Sequence, residues 1–382
     1  MGIMYNRRNF LTAVGATALL VAVEPLFARA NNQRTLLVVE LAGGNDSLNT
    51  FIPYRDPNYL RLRPSLAIKD GIPVSPEVAF HPALKDLKPL LDQGKLAIIQ
   101  NVGYPNFSQS HFRAKDIWQS GSPQGSPDSG WLGRYLESTK AQAVDAIFLG
   151  DEYPLALMGK SDRYLQLSPR LASQTSGRLG QAIQAVYGQR QANPLAEQVR
   201  RRVLESQQAI ATLTRDLKRS NAASSYPQNR VGQQMATISR ILRTRPQVIY
   251  LTIGGWDTHT NQARRHQVLL EQLSTGLAAL YNDLRSQGLE QQLLTLIQTE
   301  FGRRPAQNGS GGTDHGTAGA VVLIGNVRGG FYGGMPALDS LVNGNLPMQV
   351  DYRAIYGEIL SKWLKADTKA VLDQSFSPVG FL

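Results

Sequence analysis

Residues 292–325 constrain the fold of this chain more than any other stretch, because two apolar runs there flank a glycine-rich loop. The first run, 293–297, leads almost directly to Glu300, and the loop contains Asp314 and His315 shortly before the second run. Short apolar runs that end in polar residues and glycine are typical of buried parallel strands. Ligands collect beyond the carboxyl ends of such strands in open α/β sheets. The segment therefore predicts a polar site at one edge of a sheet.

A second stretch has the same design. The apolar segment 247–255 is followed by Asp257 and His259, and His266 lies at the start of a helix predicted over 266–286. Leucines recur on one face of that helix, which indicates packing against the sheet. Two strand ends thus bring carboxylates and imidazoles to one place, as expected of a metal or acid–base site.

Further segments define the fold class. Apolar segments at 35–42, 95–103 and 145–150 predict three more strands, and helical patterns lie between strands and in the tail from Asp351. Residues 51–80, rich in Pro, Tyr and Arg, predict an irregular loop. Strands that alternate with helices predict an α/β fold, with a mainly parallel sheet flanked by helices.

Residues 176–244 differ from the rest of the chain in composition. Gln, Arg and Ala dominate there, and apolar residues recur at helical spacing on both sides of a polar stretch. The apolar repeat does not last for the three to four heptads of a coiled coil. We therefore expect a helical insertion packed beside the sheet.

Two polar segments near the first strands admit a structural and a catalytic role. Asp46 follows the strand at 35–42 and could cap the next segment or take part in catalysis. Ser108 or Ser110 lies at the start of a helix, where backbone N–H groups favour an anion. A hydroxyl nucleophile for phosphoryl or sulfuryl transfer would fit there, as would a plain N-cap. His111 beside these serines favours the catalytic interpretation.

The first thirty residues carry the features of an export signal. Arg7 and Arg8 precede an apolar run at 11–23, and a small-x-small cleavage site ends at Ala30. The paired arginines resemble the twin-arginine signal, which implies the Tat translocon as a transient partner and a periplasmic or extracellular location. Thirteen apolar residues are too few to span a bilayer, so we expect no stable membrane span in the mature chain. The fold is predicted over residues 31–382.

Composition excludes several classes of protein. The 382 residues are 42% hydrophobic, which supports a sizeable core, and they include no cysteine, so neither thiolate ligands nor a cysteine nucleophile is available. The net charge is +11, which suits anionic substrates or envelope polymers. The chain has no GxGxxG or Walker pattern and no recognisable nucleic-acid-binding motif, and export argues against a nucleic-acid partner.

The polar residues at the predicted strand ends are those that bind divalent metals without cysteine. Asp and His supply the oxygen and nitrogen ligands that zinc accepts, and two such ions could clamp both oxygens of a displacement. The candidate metal ligands are Asp46, Asp257, His259, Glu300, Asp314 and His315, and the candidate catalytic residues are Ser110 and His111.

Motifs over nearly the whole chain resemble a known family. They are NRRNFL, ELAGGNDSLNT, VGYPNFSQSHFRAKDIWQSG, GGWDTHTNQ, TEFGRR and GGTDHGTA. Together they resemble a family of exported bacterial proteins with a domain of unknown function, in the alkaline phosphatase–sulfatase-like superfamily. The resemblance implies an alkaline-phosphatase-like α/β core. It also implies a site with an Asp after the first strand, a hydroxyl nucleophile at a helix start, and a later Asp with a nearby His. These positions match Asp46, Ser110 or Ser108, and Asp257 with His259 or His266.

The superfamily site further requires a consecutive Asp-His pair and one more His, and two assignments are open. If Asp314 and His315 form the pair, no later His follows in the sequence. If Glu300 and Phe301 occupy that strand end, His315 becomes the final His and Phe301 replaces a ligand. We prefer the second assignment, because Glu300 closely follows its strand. Either assignment leaves a two-metal set one ligand short.

Three functions follow from this resemblance and from the residues. The first is a metal-dependent hydrolase of phosphate or sulfate esters that uses zinc, as one or two ions. The second is a catalytically degenerate envelope protein that binds an anionic ligand or polymer. The third is an assembly or scaffold protein whose Asp and His residues are structural.

Overall fold

The structure of the protein is a computed structural model. It describes residues 34–123, 128–139, 145–160, 163–167, 178–194, 196, 197, 199–201, 203, 204 and 226–382. The export signal predicted over 1–30 lies outside these ranges. Within them, no helix has both the length and the apolar character that crossing a membrane requires.

The strands form a large central sheet and a small second sheet. In chain order they are β1 (Thr35–Ala42), β2 (Phe51–Ile52), β3 (Ile72–Pro73), β4 (Ala79–Phe80), β5 (Leu96–Gly103), β6 (Ala146–Leu149), β7 (Tyr164–Gln166), β8 (Val248–Gly254), β9 (Leu293–Gln298), β10 (Gly319–Ile324), β11 (Gly330–Tyr332) and β12 (Val350–Asp351). The central sheet has the order β11-β5-β10-β9-β1-β8-β6-β7, with β12 also paired to β5. The small sheet has the order β2-β4-β3.

The central sheet is mainly parallel, as the sequence predicts. β1 pairs in parallel with both β8 and β9, and β6 pairs in parallel with β7 and β8. β10 is different, because it runs antiparallel to β9 and to β5. The prediction of a parallel strand near Ala320 is therefore wrong. An apolar run has the same pattern in either direction, and here a long loop returns the chain to the edge where β9 ends.

Helices cover both faces of the central sheet. They are α1 (Ser47–Thr50), α2 (Pro57–Leu62), α3 (Lys88–Asp92), α4 (His111–Ser120), α5 (Trp131–Ser138), α6 (Arg178–Tyr187), α7 (Arg230–Leu242), α8 (Gln262–Ser286), α9 (Tyr352–Glu358) and α10 (Thr368–Leu372). Short 3-10 helices span Pro82–Leu87, Leu155–Leu157 and Glu290–Gln292, and a π-helix spans Ile359–Trp363.

The side-chain alternation of β1 shows how the two halves of the core are built. Leu37 and Val39 face a cluster that contains residues of α7 and α8, while Leu36 and Val38 face a cluster that contains residues of α4, α5 and α9. All four side chains are fully buried. A strand covered on both faces needs apolar residues at every position, which explains the continuous run that predicts it.

One predicted segment contains more regular structure than expected, and another lies only partly within the described residues. Residues 51–80, predicted as an irregular loop, contain α2 and the small sheet, whose two-residue strands are too short to show an alternating pattern. In the segment 176–244, predicted as a helical insertion, the structure describes α6 and α7, and much of the remainder lies outside the described residues. Met235 and Ile238 of α7 are fully buried in the core cluster beneath α8. The insertion as a separate unit stays a prediction.

Candidate metal centre

Loops at one edge of the central sheet carry the polar residues that the sequence singles out. Asp257 and His259 follow β8, Glu300 follows β9, and His111 opens α4 after β5. His315 precedes β10, whose first residues lie at the same edge because this strand is antiparallel. The structure therefore brings these five side chains into one cluster.

Three imidazoles of this cluster meet the carboxylate of Asp257. Asp257 Oδ1 lies 3.1 Å from His259 Nε2 and 3.3 Å from His315 Nε2, and Oδ2 lies 3.6 Å from His111 Nε2. The Nε2 atoms of His259 and His315 are 2.9 Å apart. Donor atoms of His111, Asp257 and His315 all lie within 4.8 Å of one another. These last three residues form the candidate metal centre of the part of the chain that the structure describes, and His259 lies beside them.

The other nitrogen of each imidazole contacts a hydrogen-bond acceptor. The Nδ1 pairs are His111 with Glu300 Oε1 at 2.8 Å, His259 with Asp314 Oδ1 at 3.2 Å, and His315 with the Gln109 carbonyl at 2.8 Å. Ionised carboxylates and carbonyl groups accept hydrogen bonds and do not donate them. Each Nδ1 is therefore placed to donate its proton, and in a neutral imidazole of this tautomer the Nε2 lone pair faces Asp257. Metal-binding histidines have this same arrangement.

The contacts between neighbouring donor atoms are close to those around one divalent cation. Zinc lies about 2.0–2.1 Å from its nitrogen ligands, so neighbouring donors of a tetrahedral site are about 3.3 Å apart. The measured contacts of 2.9, 3.1, 3.3 and 3.6 Å lie on both sides of this value. Two Nε2 lone pairs at 2.9 Å also repel each other unless a cation or a proton lies between them. Imidazole nitrogens and carboxylate oxygens are ligands that zinc accepts.

Glu300 holds His111 from the interior of the sheet. Its carboxylate is 2% exposed and accepts hydrogen bonds from the backbone N–H groups of Gly43 at 2.8 Å and Gly44 at 3.2 Å. Burial alone would raise the pKa of Glu300, but the hydrogen bond from His111 and the backbone donors outweigh it and hold the pKa below its usual value. Glu300 is therefore an ionised group that positions His111. It contacts the far side of the imidazole ring and is not among the candidate metal ligands.

Burial and neighbouring charges shift the pKa values of His111, His315 and Asp257. The hydrogen bond to Glu300 raises the pKa of His111, whereas burial lowers the pKa of His315. Burial opposes the ionisation of Asp257, but the hydrogen bond and charge of Arg303 outweigh it and lower the pKa of this carboxyl. Asp257 is thus available as an anionic ligand at neutral pH.

Arg303 connects the loops of the centre, and the sequence does not reveal this role. Its side chain is fully buried, and Nη2 lies 2.5 Å from Asp257 Oδ1. Nε donates to the Gly44 carbonyl at 2.7 Å and Nη1 to the Thr313 carbonyl at 2.8 Å. One guanidinium thus ties together the loops that follow β1, β8 and β9. Its partners are mostly backbone carbonyls of distant loops, which no motif announces.

Asp46 lies outside this cluster, in a separate buried network. Its carboxylate pairs with Arg63 at 2.6 Å, accepts a hydrogen bond from the Gln262 amide, and caps α1 through Leu48 N–H. His266 belongs to the same region and lies 2.8 Å from Asn45 Oδ1. Asp46 has the capping role that the sequence allows, and its charge is balanced by Arg63. The structure does not bring it to Asp257.

The remaining predicted residues lie around the centre. Asp314 contacts His259 from outside and is half exposed. Ser110 occupies the N-cap position of α4 but makes no capping hydrogen bond, and it is exposed. Ser108 Oγ accepts a hydrogen bond from the Ser110 N–H at 3.2 Å. Phe301 is buried, and its ring centroid lies 4.6 Å from that of His315.

A cleft of about 470 Å³ opens beside the centre. His111, Asp257 and Glu300 are among its lining residues. Lys115 of α4 and Glu152 of the loop after β6 form an ion pair of 2.6 Å between its two sides. The cleft is large enough for a small organic molecule and lies next to the candidate ligands.

A family model matches residues 94–366, and the family is described as "Protein of unknown function (DUF1501)". The match covers more than half of the chain and includes His111, Asp257, His259 and His315. The protein therefore belongs to this family. A search of the curated proteins found no match.

Solved structures with a similar architecture are distant from this chain. The C-terminal periplasmic domain of EcEptC from Escherichia coli has a TM-score of 0.41 at 9% identity, over 93% of this chain and 92% of that chain. Ps i-CgsB in complex with k-i-k-neocarrahexaose has a TM-score of 0.39 at 11% identity, over 90% and 73%. Alkaline phosphatase from the Antarctic bacterium TAB5 has a TM-score of 0.34 at 9% identity, over 77% and 92%. At these values the likeness concerns general architecture and carries no argument about activity.

Proposed function

We propose that this protein is an exported hydrolase of phosphate or sulfate esters that uses a single divalent metal, zinc. One observation carries the proposal: three imidazoles with their Nδ1 atoms on acceptors direct Nε2 towards the carboxylate of Asp257. A cation would balance the close approach of the His259 and His315 Nε2 atoms, which are 2.9 Å apart beside the carboxylate of Asp257. The proposed ligands are His111, Asp257 and His315, which leave the fourth position of a tetrahedral zinc for water or substrate, and His259 adjoins them.

A zinc ion at this position would supply a polarised ester oxygen and a bound water of lowered pKa. The protein groups around it bind and orient the substrate. Glu300 fixes the ring of His111 from behind, and Arg303 fixes the carboxylate of Asp257. Ser110 stands at the N-terminus of α4, where backbone N–H groups favour an anion, and its hydroxyl is the nucleophile in this proposal.

The assignment of His111 as a ligand differs from its sequence-based role as a catalytic residue. Its Nε2 faces Asp257 Oδ2 at 3.6 Å, and its Nδ1 is engaged by Glu300. A histidine whose Nδ1 is fixed by a carboxylate and whose Nε2 faces a second donor group is better suited to bind a metal than to transfer protons freely. We therefore place His111 with the ligands and keep Ser110 as the reacting group.

Metal analysis of the mature protein, purified from its native compartment, tests this proposal. We expect about one zinc per chain, turnover of p-nitrophenyl phosphate or sulfate, and loss of both in His315→Ala. Ser110→Ala should keep the metal and lose turnover, because only the nucleophile is removed. A protein without stoichiometric metal, whose melting temperature is the same with and without chelator, would contradict the proposal.

A second candidate is a protein that binds an anionic ligand at the metal without turnover. It is favoured by Phe301, whose buried ring contacts His111 and His315 where the superfamily resemblance implies a further ligand. Asp46, the other residue implied for a second ion, is paired with Arg63. Metal content and phosphate binding with no hydrolysis of either ester would favour this candidate.

A further inference from the structure

The cleft beside the metal centre has two walls of different origin. One wall is α4, which contributes Phe112, Lys115 and Asp116, and the other is the loop after β6, which contributes Glu152 and Tyr153. Two candidate metal ligands, His111 and Asp257, also line the cleft. A substrate held at His111 and Asp257 therefore has this cleft beside it for the rest of its structure.

Phe112 is the most exposed large apolar side chain of the described residues, with 86% of its surface accessible. Tyr153 on the other wall is 55% exposed. Phe112 directly follows His111 on α4, and both side chains line the cleft. The ring makes no large contribution to the core, and an aromatic face at a pocket is suited to stack against a ligand.

The charges of the walls restrict the kind of substrate. Lys115 and Glu152 lie 2.6 Å apart and compensate each other, and Asp116 adds a negative charge. Beyond the metal centre the cleft therefore has no excess of positive charge, although the whole chain is strongly basic. A substrate that carries several anionic groups would be repelled here, while a neutral group would not.

We propose that this cleft binds the alcohol portion of an ester whose only anionic group is the one at the metal, and that this portion presents a flat apolar face to Phe112. The inference rests on the proposed function, and it names the substrate class of the same site. An aryl ester or another ester with a flat apolar alcohol group belongs to this class, whereas a polyanionic polymer does not.

Binding of two phosphonates to the zinc-loaded protein tests the apolar face without turnover, because neither contains an ester bond. We expect phenylphosphonate to bind about two- to tenfold more tightly than methylphosphonate, as expected for one aromatic contact. Phe112→Ala should remove this difference and leave methylphosphonate binding unchanged. Phe107→Ala is the matched control, because Phe107 is also exposed but does not line the cleft.

A third probe tests the charge restriction. 4-Carboxyphenylphosphonate should bind more weakly than phenylphosphonate to the wild type, and Asp116→Asn should reduce that difference. Equal affinities of phenylphosphonate and methylphosphonate, or tighter binding of the carboxylated probe, would overturn the inference while the metal remains bound. Absence of zinc from the protein would instead overturn the proposed function on which the inference rests.

Discussion

His266 shows how one buried side chain sets the pH range in which this fold is stable. It is 2% exposed, and its Nε2 donates to Asn45 Oδ1 at 2.8 Å. Burial lowers its pKa to about 4. An unfolded histidine titrates near pH 6.5, so the unfolded chain takes up a proton first as the pH falls. The neutral imidazole therefore costs no stability above about pH 6.5, and stability is lost as the pH falls towards about 4.

Substitution of this histidine should flatten the acid side of the stability profile. Glutamine at position 266 keeps a donor for Asn45 but has no titratable group. The free energy of unfolding of His266→Gln should fall less steeply than that of the wild type between about pH 6.5 and 4.5, by up to about 1.4 kcal/mol per pH unit. Urea denaturation at several pH values measures this slope, and pH 7–9 provides the internal reference. Identical slopes below pH 6.5 would contradict the prediction.

Glu300 tests whether the second contact of His111 serves the metal. Glu300→Gln removes the charge that holds the imidazole ring while the hydrogen-bonding shape is largely kept. Loss of such a partner lowers metal affinity about 10- to 100-fold in metalloproteins. Zinc competition with a chromophoric chelator measures the affinity of the variant. Glu271→Gln on the exposed face of α8 is the matched control and should bind zinc as the wild type does. Equal zinc affinity in both variants would assign Glu300 a purely structural role.

At the scale of elements, α7 links a compositionally unusual segment to the sheet. Its N-cap is Asn229, whose side chain accepts a hydrogen bond from the Gly232 N–H at 2.9 Å, and its Met235 and Ile238 are fully buried in the core cluster under α8. The helix is therefore held by apolar burial as well as by its own cap. Its stability contribution belongs to the main core, whatever the remainder of 176–244 does.

Met235→Ala should destabilise the protein by about 2–5 kcal/mol, because it removes a long side chain from a closed part of the core. Gln233→Ala changes an exposed position of the same helix and should cost less than about 0.5 kcal/mol. Thermal denaturation of both variants, with zinc content measured in parallel, gives the comparison. Similar melting temperatures for the two variants would place α7 outside the core.

Elements that are bounded by strong local signals could be predicted from the sequence. β1, β8 and β9 are apolar runs that end at glycine or polar residues, and each lies within one or two residues of its predicted range. α8 begins at Gln262, four residues before its predicted start. The prediction missed these residues because the first turn is polar and the N-cap, Asn261, lies in the left-handed region with φ 50°. Neither feature produces a periodic pattern.

The site was predictable in its residue types and less so in its partners. Asp257, His259 and His315 follow or precede apolar runs, so their convergence at one edge of the sheet could be inferred. The antiparallel direction of β10 could not, because an apolar run reads equally well in both directions. Arg303 and Arg63 were missed because a buried guanidinium is defined by distant carbonyl and carboxylate partners, which sequence spacing does not encode.

At the scale of the whole molecule, the loops at one edge of the central sheet connect the fold with the site. The candidate ligands lie on segments that follow β5, β8 and β9, and backbone groups after β1 hold Glu300 and Arg303 behind them, so the geometry depends on much of the sheet. A metal that binds this geometry stabilises the folded chain and has little affinity for the unfolded one. A protein of this kind gains from acquiring its metal before it leaves the cytoplasm, which the twin-arginine signal predicted at the N-terminus would allow.

Export should therefore depend on the arginine pair itself. Replacing Arg7 and Arg8 by lysine keeps the charge but removes the residues that the twin-arginine route recognises. Full-length precursor should then accumulate in the cytoplasm, whereas the wild type appears outside it as a mature chain shortened by about thirty residues at a site near Ala30. Arg200→Lys with Arg201→Lys, a pair of the mature chain, is the matched control and should be exported normally. Fractionation with N-terminal sequencing of each species measures both effects. Unchanged export of the Arg7/Arg8 variant, with a protein that still begins at Met1, would contradict both the signal and the cleavage site.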